Sequence, residues 1–265
     1  MATLAALITV YHGTDAADLE RALTSLQTQT RPADELVIVV DGPVGKAVEG
    51  VVEKHDARVI RLLENVGAGP ASQAGLEAIG ADYTARLDSD DAAKPERFQR
   101  QLEYLEAHPG VGALGTAVEE FSRTPGDTGR VRALPENPHA YARMNSPVNN
   151  PSVMLRTRAV KEVGGYRDVH FMEDYDLYAR LIAGGWQVRN LPEALTDFQV
   201  TDAQFSRRTG REMFAAEVQM QRNLVAYGLI SRPRAVFNLA ARSAYRMLPT
   251  GLLKRVYAVL FHRGE

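Results

Sequence analysis

The 265-residue chain contains no cysteine, so it forms no disulfide, presents no thiolate nucleophile and holds no sulfur-ligated zinc. Any metal must be held by oxygen or imidazole. The six histidines are scattered without ligand spacing and read as surface or packing residues. Long apolar runs are missing too: no stretch approaches the ~18 uninterrupted apolar residues of a membrane-spanning helix. The N-terminus lacks the basic region that opens a secretory signal, which leads us to expect a cytoplasmic protein. Gly67-Ala68-Gly69 matches neither the Rossmann glycine spacing nor a phosphate loop with its Lys and Ser/Thr, so it reads as a loop tightening into a helix.

What is present suits a folded enzyme. At 45% hydrophobic residues the chain can bury one substantial core, with room for a smaller appendage. Net charge is −2, yet from Ser231 onward there are seven Lys or Arg and one acid. Body and tail therefore face different partners. The tail's positive charge comes with no recognised nucleic-acid module, so no nucleic-acid partner is expected.

Thr3 to Val10, Leu36 to Val40 and Arg58 to Leu63 read as buried strands, separated by helical patterns over Ala16 to Gln29 and Val44 to His55. A further helix before Gly80 and a strand ending at Leu87 complete an alternation that predicts parallel strands with right-handed crossovers. Residues 1–91 thus look like a nucleotide-binding half and 92–230 like an acceptor half. Pro95 to Ala107 predicts a helix, Val111 to Phe121 a strand, Trp186 to Leu191 and Leu195 to Val200 two more strands, and Gly210 to Tyr227 a long helix.

Two acidic clusters carry the chemistry. Asp88-Ser89-Asp90-Asp91 follows a strand, where open α/β sheets bind ligands, and three carboxylates so close together suit a divalent cation. The alternative is a solvated turn in which Asp91 begins the next helix. Glu173-Asp174-Tyr175-Asp176 opens a helical run, and there the alternative is dipole capping. Tyr11 and Asp41 end two other strands on the same edge, although Asp41-Gly42-Pro43 is also ordinary turn chemistry.

Taken in order, these segments resemble the inverting glycosyltransferases of family 2. The resemblance runs from about Leu4 to Gln199 and rests on Tyr11, Leu23 to Thr30, Val37 to Asp41 and Asn65-Val66-Gly67. It continues through Ala85 to Asp91, Asn150 to Met154, Gly164-Gly165-Tyr166 and Glu173 to Leu177. It implies a GT-A fold, α/β with a mostly parallel central sheet flanked by helices, followed here by a C-terminal helical extension. It further implies that Asp88 and Asp90 form an Asp-x-Asp motif holding Mn²⁺ or Mg²⁺ against a donor diphosphate. Asp174 of the Glu173-Asp174 pair would be the catalytic base, and Gly165 and Tyr166 would shape the acceptor side. Tyr11, Asp41, Asn65, Arg86 and Asp88 would bind the nucleotide-sugar, and Arg207 or Arg208 would neutralise the diphosphate. The chain departs from the family pattern at His12, Ser72-Gln73, Asn150 and Thr201, which blurs the donor and leaves a third metal ligand unnamed.

The reaction so implied moves a sugar from a nucleotide donor, UDP by default, to a hydroxyl of a glycan or lipid-linked acceptor in cell-surface polysaccharide assembly. A sugar-phosphate nucleotidyltransferase is the alternative, but Tyr11 to Leu19 lacks the Gly-rich, Lys/Arg-bearing loop of that class. A non-catalytic nucleotide-sugar or membrane-surface binding module is another. Residues 231–265 combine basic and apolar side chains in two helical patterns split at Pro249, matching an anionic membrane surface. Peripheral contact at the inner face of the plasma membrane is the expectation, with packing on the catalytic domain as its alternative.

Overall fold

The computed structural model describes residues 2–122, 129–200 and 211–246, with the side chains of residues 211, 245 and 246 left aside. Four parallel strands form its first half: β1 (Leu4–Tyr11), β2 (Glu35–Asp41), β3 (Arg58–Arg61) and β4 (Tyr83–Asp88), in the spatial order β3-β2-β1-β4. Parallel neighbours need crossovers, supplied by helices α1 (Ala16–Gln27), α2 (Lys46–Lys54) and α3 (Ala68–Ala78). Helices on both faces explain why β1 and β2 are continuous apolar runs, buried from Leu4 to Ile8 and from Val37 to Asp41. Asp15 caps α1 by accepting from the backbone N–H groups of Ala17 and Asp18, both at 3.0 Å. Register then places the chemistry: Tyr11 pairs with Asp41, and Thr9 with Asp88, so three strand ends meet at one edge.

Beyond β4 the sheet becomes mixed. After β5 (Ala92–Ala93) and α4 (Arg97–Ala107) come β6 (Val111–Phe121), its antiparallel partner β7 (Arg130–Arg132), β8 (Met154–Arg156), the short α5 (Thr157–Glu162), α6 (Glu173–Ala183) and β9 (Gln187–Gln199). β8 runs antiparallel between β4 and β6, β9 lies parallel to β6, and β5 edges the far side. The two strands expected over 186–200 are one. Its register with β6 slips opposite Leu191 to Thr196, around Pro192, which has no N–H to donate to the ladder.

Arg97 is wholly buried beneath the site. Its Nη2 donates to the carbonyl oxygens of Arg86 (2.7 Å) and Val153 (3.1 Å), which pins α4 under the strand that carries Asp88. Burial pushes its pKa down to about 9.

Two helices close the described chain, α7 (Arg211–Ala226) and α8 (Arg232–Arg246). Met213, Ala216, Met220 and Leu224 of α7 pack with Val169, Met172, Tyr175 and Ala179 in one apolar cluster. α8 docks on the same body. Arg242 grips Glu217 at 2.7 and 2.8 Å and donates to the Met144 carbonyl at 2.7 Å, while Asn238 donates to the Arg143 carbonyl at 2.7 Å. The expected boundary at residue 230 is therefore no structural break, because the first half of the basic stretch uses Arg242 as a packing residue. Residues 247–265 lie outside the described residues. Among those described, no helix is long and apolar enough to cross a membrane.

Candidate active site

Asp88 is the last residue of β4, and its carboxylate accepts from Arg86 Nη2 at 3.2 Å. Arg86 is buried. It donates to the Ser72 hydroxyl of α3, and its guanidinium lies 5.9 Å from the centre of the Tyr166 ring. Burial opposes its charge, but Asp88 and the surrounding acids and tyrosines outweigh that and keep it protonated. A turn follows, closed by Asp91 N–H donating to the Asp88 carbonyl at 3.2 Å, and Arg21 Nη2 donates to the Asp90 carbonyl at 2.6 Å.

Asp91 begins no helix. It is buried, it precedes β5, and its Oδ1 accepts from Gln199 N–H at 2.8 Å, fastening the end of β9. Burial, reinforced by Asp90 and Asp88, holds its pKa well above the usual carboxylate range.

On the neighbouring strand end, Asp41 is buried and committed to the loop before α3. Its Oδ1 accepts from Val66 N–H at 2.8 Å, and its Oδ2 from Gly67 N–H and Asn65 Nδ2, both at 3.1 Å. The resemblance named Asp41 and Asn65 together for the nucleotide-sugar without showing that they bind each other. Tyr11, at the end of β1, is 36% exposed beside them.

The second cluster is set against α3 by the loop 164–172. Gly165 has φ 66°, and a Cβ there would overlap the side-chain oxygen of Gln73, which accepts from Tyr166 N–H at 2.7 Å. Gly69 lets the start of α3 approach Arg167 and Glu173 closely. The Tyr166 hydroxyl is buried, with no hydrogen-bond partner among the described residues, and burial pushes its pKa up to about 12. Phe171 is the only non-glycine described residue with positive φ, at 61°, a conformation costing about 1–3 kcal/mol.

Glu173 and Asp174 form the first turn of α6. Asp174 Oδ1 accepts from Tyr175 N–H at 2.6 Å. Burial, followed by the Glu173 charge, pushes the Asp174 pKa up to about 7, and burial raises Glu173 as well. Asp88 adds to both shifts while Arg86 opposes them, so the two acidic clusters share one electrostatic neighbourhood. Asp176 belongs to the scaffold: fully buried, it accepts from Arg180 Nε (2.7 Å), Asn223 Nδ2 (2.8 Å) and the Tyr227 hydroxyl (2.7 Å), tying α6 to α7.

Of the expected site residues, Arg86, Asp88, Tyr166, Glu173 and Asp174 converge, with Tyr11, Asp41 and Asn65 along the adjoining edge. Arg207 and Arg208 lie outside the described residues. Ser72 and Gln73, noted in the sequence only as departures from a pattern, hold Arg86 and the Tyr166 backbone. Among the described residues no three His, Cys, Asp or Glu side chains form a cage for a metal. Asp88 and Asp90 offer hard oxygen donors, a partial set of the kind Mg²⁺ completes with substrate phosphates and water.

Comparison with known proteins bears on the family and the fold. The family model for glycosyl transferase family 2 matches residues 6–160. The amylovoran biosynthesis glycosyltransferase AmsE of Erwinia amylovora is 34% identical over 258 residues, covering 95% of this chain and 96% of the relative. The chain belongs to glycosyl transferase family 2. A second relative, the Escherichia coli UDP-Gal:alpha-D-GlcNAc-diphosphoundecaprenol beta-1,3-galactosyltransferase, is 29% identical, covering 92% of this chain and 91% of its own. Residues 1–349 of Staphylococcus aureus TarS, solved with UDP-GlcNAc, superpose with a TM-score of 0.66 at 14% identity, covering 98% of this chain and 73% of that one. That likeness shows the GT-A fold. As a family 2 glycosyltransferase the chain is a transferase, with relatives in polysaccharide biosynthesis, and the nucleotidyltransferase alternative falls away.

Proposed function

We propose that the protein is an inverting glycosyltransferase that moves a sugar from a UDP-sugar to a hydroxyl of a lipid-linked or glycan acceptor during cell-surface polysaccharide assembly. The observation that carries the reading is the meeting of the two acidic clusters: Asp88, paired with Arg86, bears electrostatically on Glu173 and Asp174. The UDP donor and the lipid-linked acceptor are supported by the name of the E. coli relative.

In this reading Asp174 is the general base. An acceptor hydroxyl has a high pKa and must shed its proton as it attacks, and a carboxylate whose pKa lies near neutrality is suited to take it. Glu173 keeps that pKa raised. Attack opposite the departing diphosphate inverts the anomeric carbon, so a single base suffices and no covalent nucleophile is needed. Asp41, Asn65 and Tyr11 line the nucleotide edge, and Gly165 and Tyr166 shape the acceptor side. Asp88 and Asp90 would hold Mn²⁺ or Mg²⁺, which when bound supplies Lewis-acid stabilisation of the leaving diphosphate. Arg86 orients Asp88, and Arg207 and Arg208 add positive charge for the diphosphate. Residues 231–265 give peripheral contact with the inner face of the membrane that carries the acceptor.

Titration calorimetry with UDP, GDP and dTDP, each with and without Mn²⁺, tests the reading. Metal-dependent binding of UDP in preference to the others is the expected result. Binding of none of the three by the folded protein would contradict it.

A further inference from the structure

The loop that leads into α6 contains a residue that local stability does not explain. Met172 N–H donates to the Val169 carbonyl at 2.8 Å, closing a four-residue turn with Phe171 in third place at φ 61°. Glycine or asparagine normally fills such a position, because a bulky side chain is disfavoured at positive φ. Burial does not compensate: the Phe171 side chain remains 41% exposed while Val169 and Met172, on either side, are buried anchors. Its ring instead packs on the likewise exposed His170, with centroids 3.8 Å apart. A fixed, solvent-facing aromatic pair thus stands two residues before the acidic pair, and strain retained without a packing gain marks ligand clamps.

We propose that Phe171, backed by His170, is the platform on which a pyranose ring of the acceptor stacks. This deepens the glycosyltransferase reading and rests on it. A pyranose offers a face of C–H groups that an aromatic ring can cover, while its hydroxyls at the ring edge remain free for carboxylates. The platform shares its loop with Tyr166 and adjoins Asp174, the base assigned to the acceptor hydroxyl, and lies in a different segment from the nucleotide edge at Asp41. Stacking there fixes the plane of the acceptor sugar before its hydroxyl is deprotonated.

The test uses the full chain saturated with UDP. Saturation-transfer NMR is recorded with the methyl pyranosides of glucose, galactose, N-acetylglucosamine and N-acetylgalactosamine, on wild type, Phe171→Gly, Phe171→Ala and Phe171→Trp. At least one pyranoside should receive saturation at its ring C–H protons from wild type and Phe171→Trp, and lose it with Gly and Ala. Phe171→Gly should also melt above wild type, since glycine relieves the strain, and UDP titration should be unchanged in all variants. Saturation of every pyranoside that is independent of residue 171, or absent from wild type while UDP binds, would overturn the platform alone. Failure of wild type to bind UDP would remove the UDP-sugar reading on which this test of the platform rests.

Discussion

Asp88-Ser89-Asp90-Asp91 ends a strand, whereas Glu173-Asp174-Tyr175-Asp176 begins a helix, yet both segments divide their three carboxylates in the same way. In each, the last one is buried into the scaffold: Asp91 receives a backbone N–H from β9, and Asp176 is gripped by Arg180, Asn223 and Tyr227. Asp88 and Asp174 differ. Asp88 accepts from the Arg86 guanidinium, while Asp174 accepts from Tyr175 N–H and is pushed towards neutrality by burial and by Glu173. In the proposed reading, an acidic motif of similar composition serves as a metal ligand at a strand end and as a proton acceptor at a helix start.

The largest effect should come from the second segment. Asp174→Asn is expected to cut the steady-state transfer rate by about 10² to 10⁴-fold, the usual worth of a general base. A rate within about threefold of wild type would move the base elsewhere. Next come the two scaffold carboxylates. Asp176→Leu leaves Arg180 buried without its partner and should cost about 3–5 kcal/mol in denaturant unfolding. Asp91→Asn keeps an oxygen for Gln199 N–H and sheds a charge the site already disfavours, so it should stay within about 1 kcal/mol of wild type. Equal losses would show that the two are held alike.

Gly165→Ala should cost about 1–3 kcal/mol, because the residue sits at φ 66° and its new methyl would overlap Gln73. A lowered melting temperature would register it. A further effect is one of pH. The Asp174 pKa is raised from 3.8 to about 7, so the stability it contributes is fully present below 3.8 and is lost as pH rises through about 7. In the metal-free protein Asp174→Asn should therefore melt above wild type at pH 8, and the two should converge towards pH 4. A gap that widens at low pH would reverse the sign of the argument.

Much of this was legible in the sequence. The apolar runs and their helical spacers gave β1 to β4 within a residue or two, and the ordered motifs placed Arg86, Asp88, Tyr166, Glu173 and Asp174 at one site. What was not legible depended on contacts between distant segments. No local pattern distinguishes Asp91 and Asp176 from the carboxylates beside them, because their partners lie at Gln199, Asn223 and Tyr227. Ser72 and Gln73 looked like substitutions in a motif and are props for Arg86 and for the Tyr166 backbone. The basic charge of α8 suggested a membrane-facing stretch with packing on the domain as its alternative, and Arg242 and Asn238 donate to the body of the protein. Phe171 reads as an ordinary aromatic until its backbone angle is known.

The central claim is that one acidic segment binds the donor and the other performs the chemistry, and the most direct test is UDP titration in Mn²⁺ on Asp90→Ala and Asp174→Asn side by side. We expect Asp90→Ala to lose metal-dependent UDP binding and Asp174→Asn to retain the wild-type isotherm while failing to turn over. An Asp174→Asn isotherm weakened in proportion to its lost turnover would place both segments in the donor shell and contradict the division.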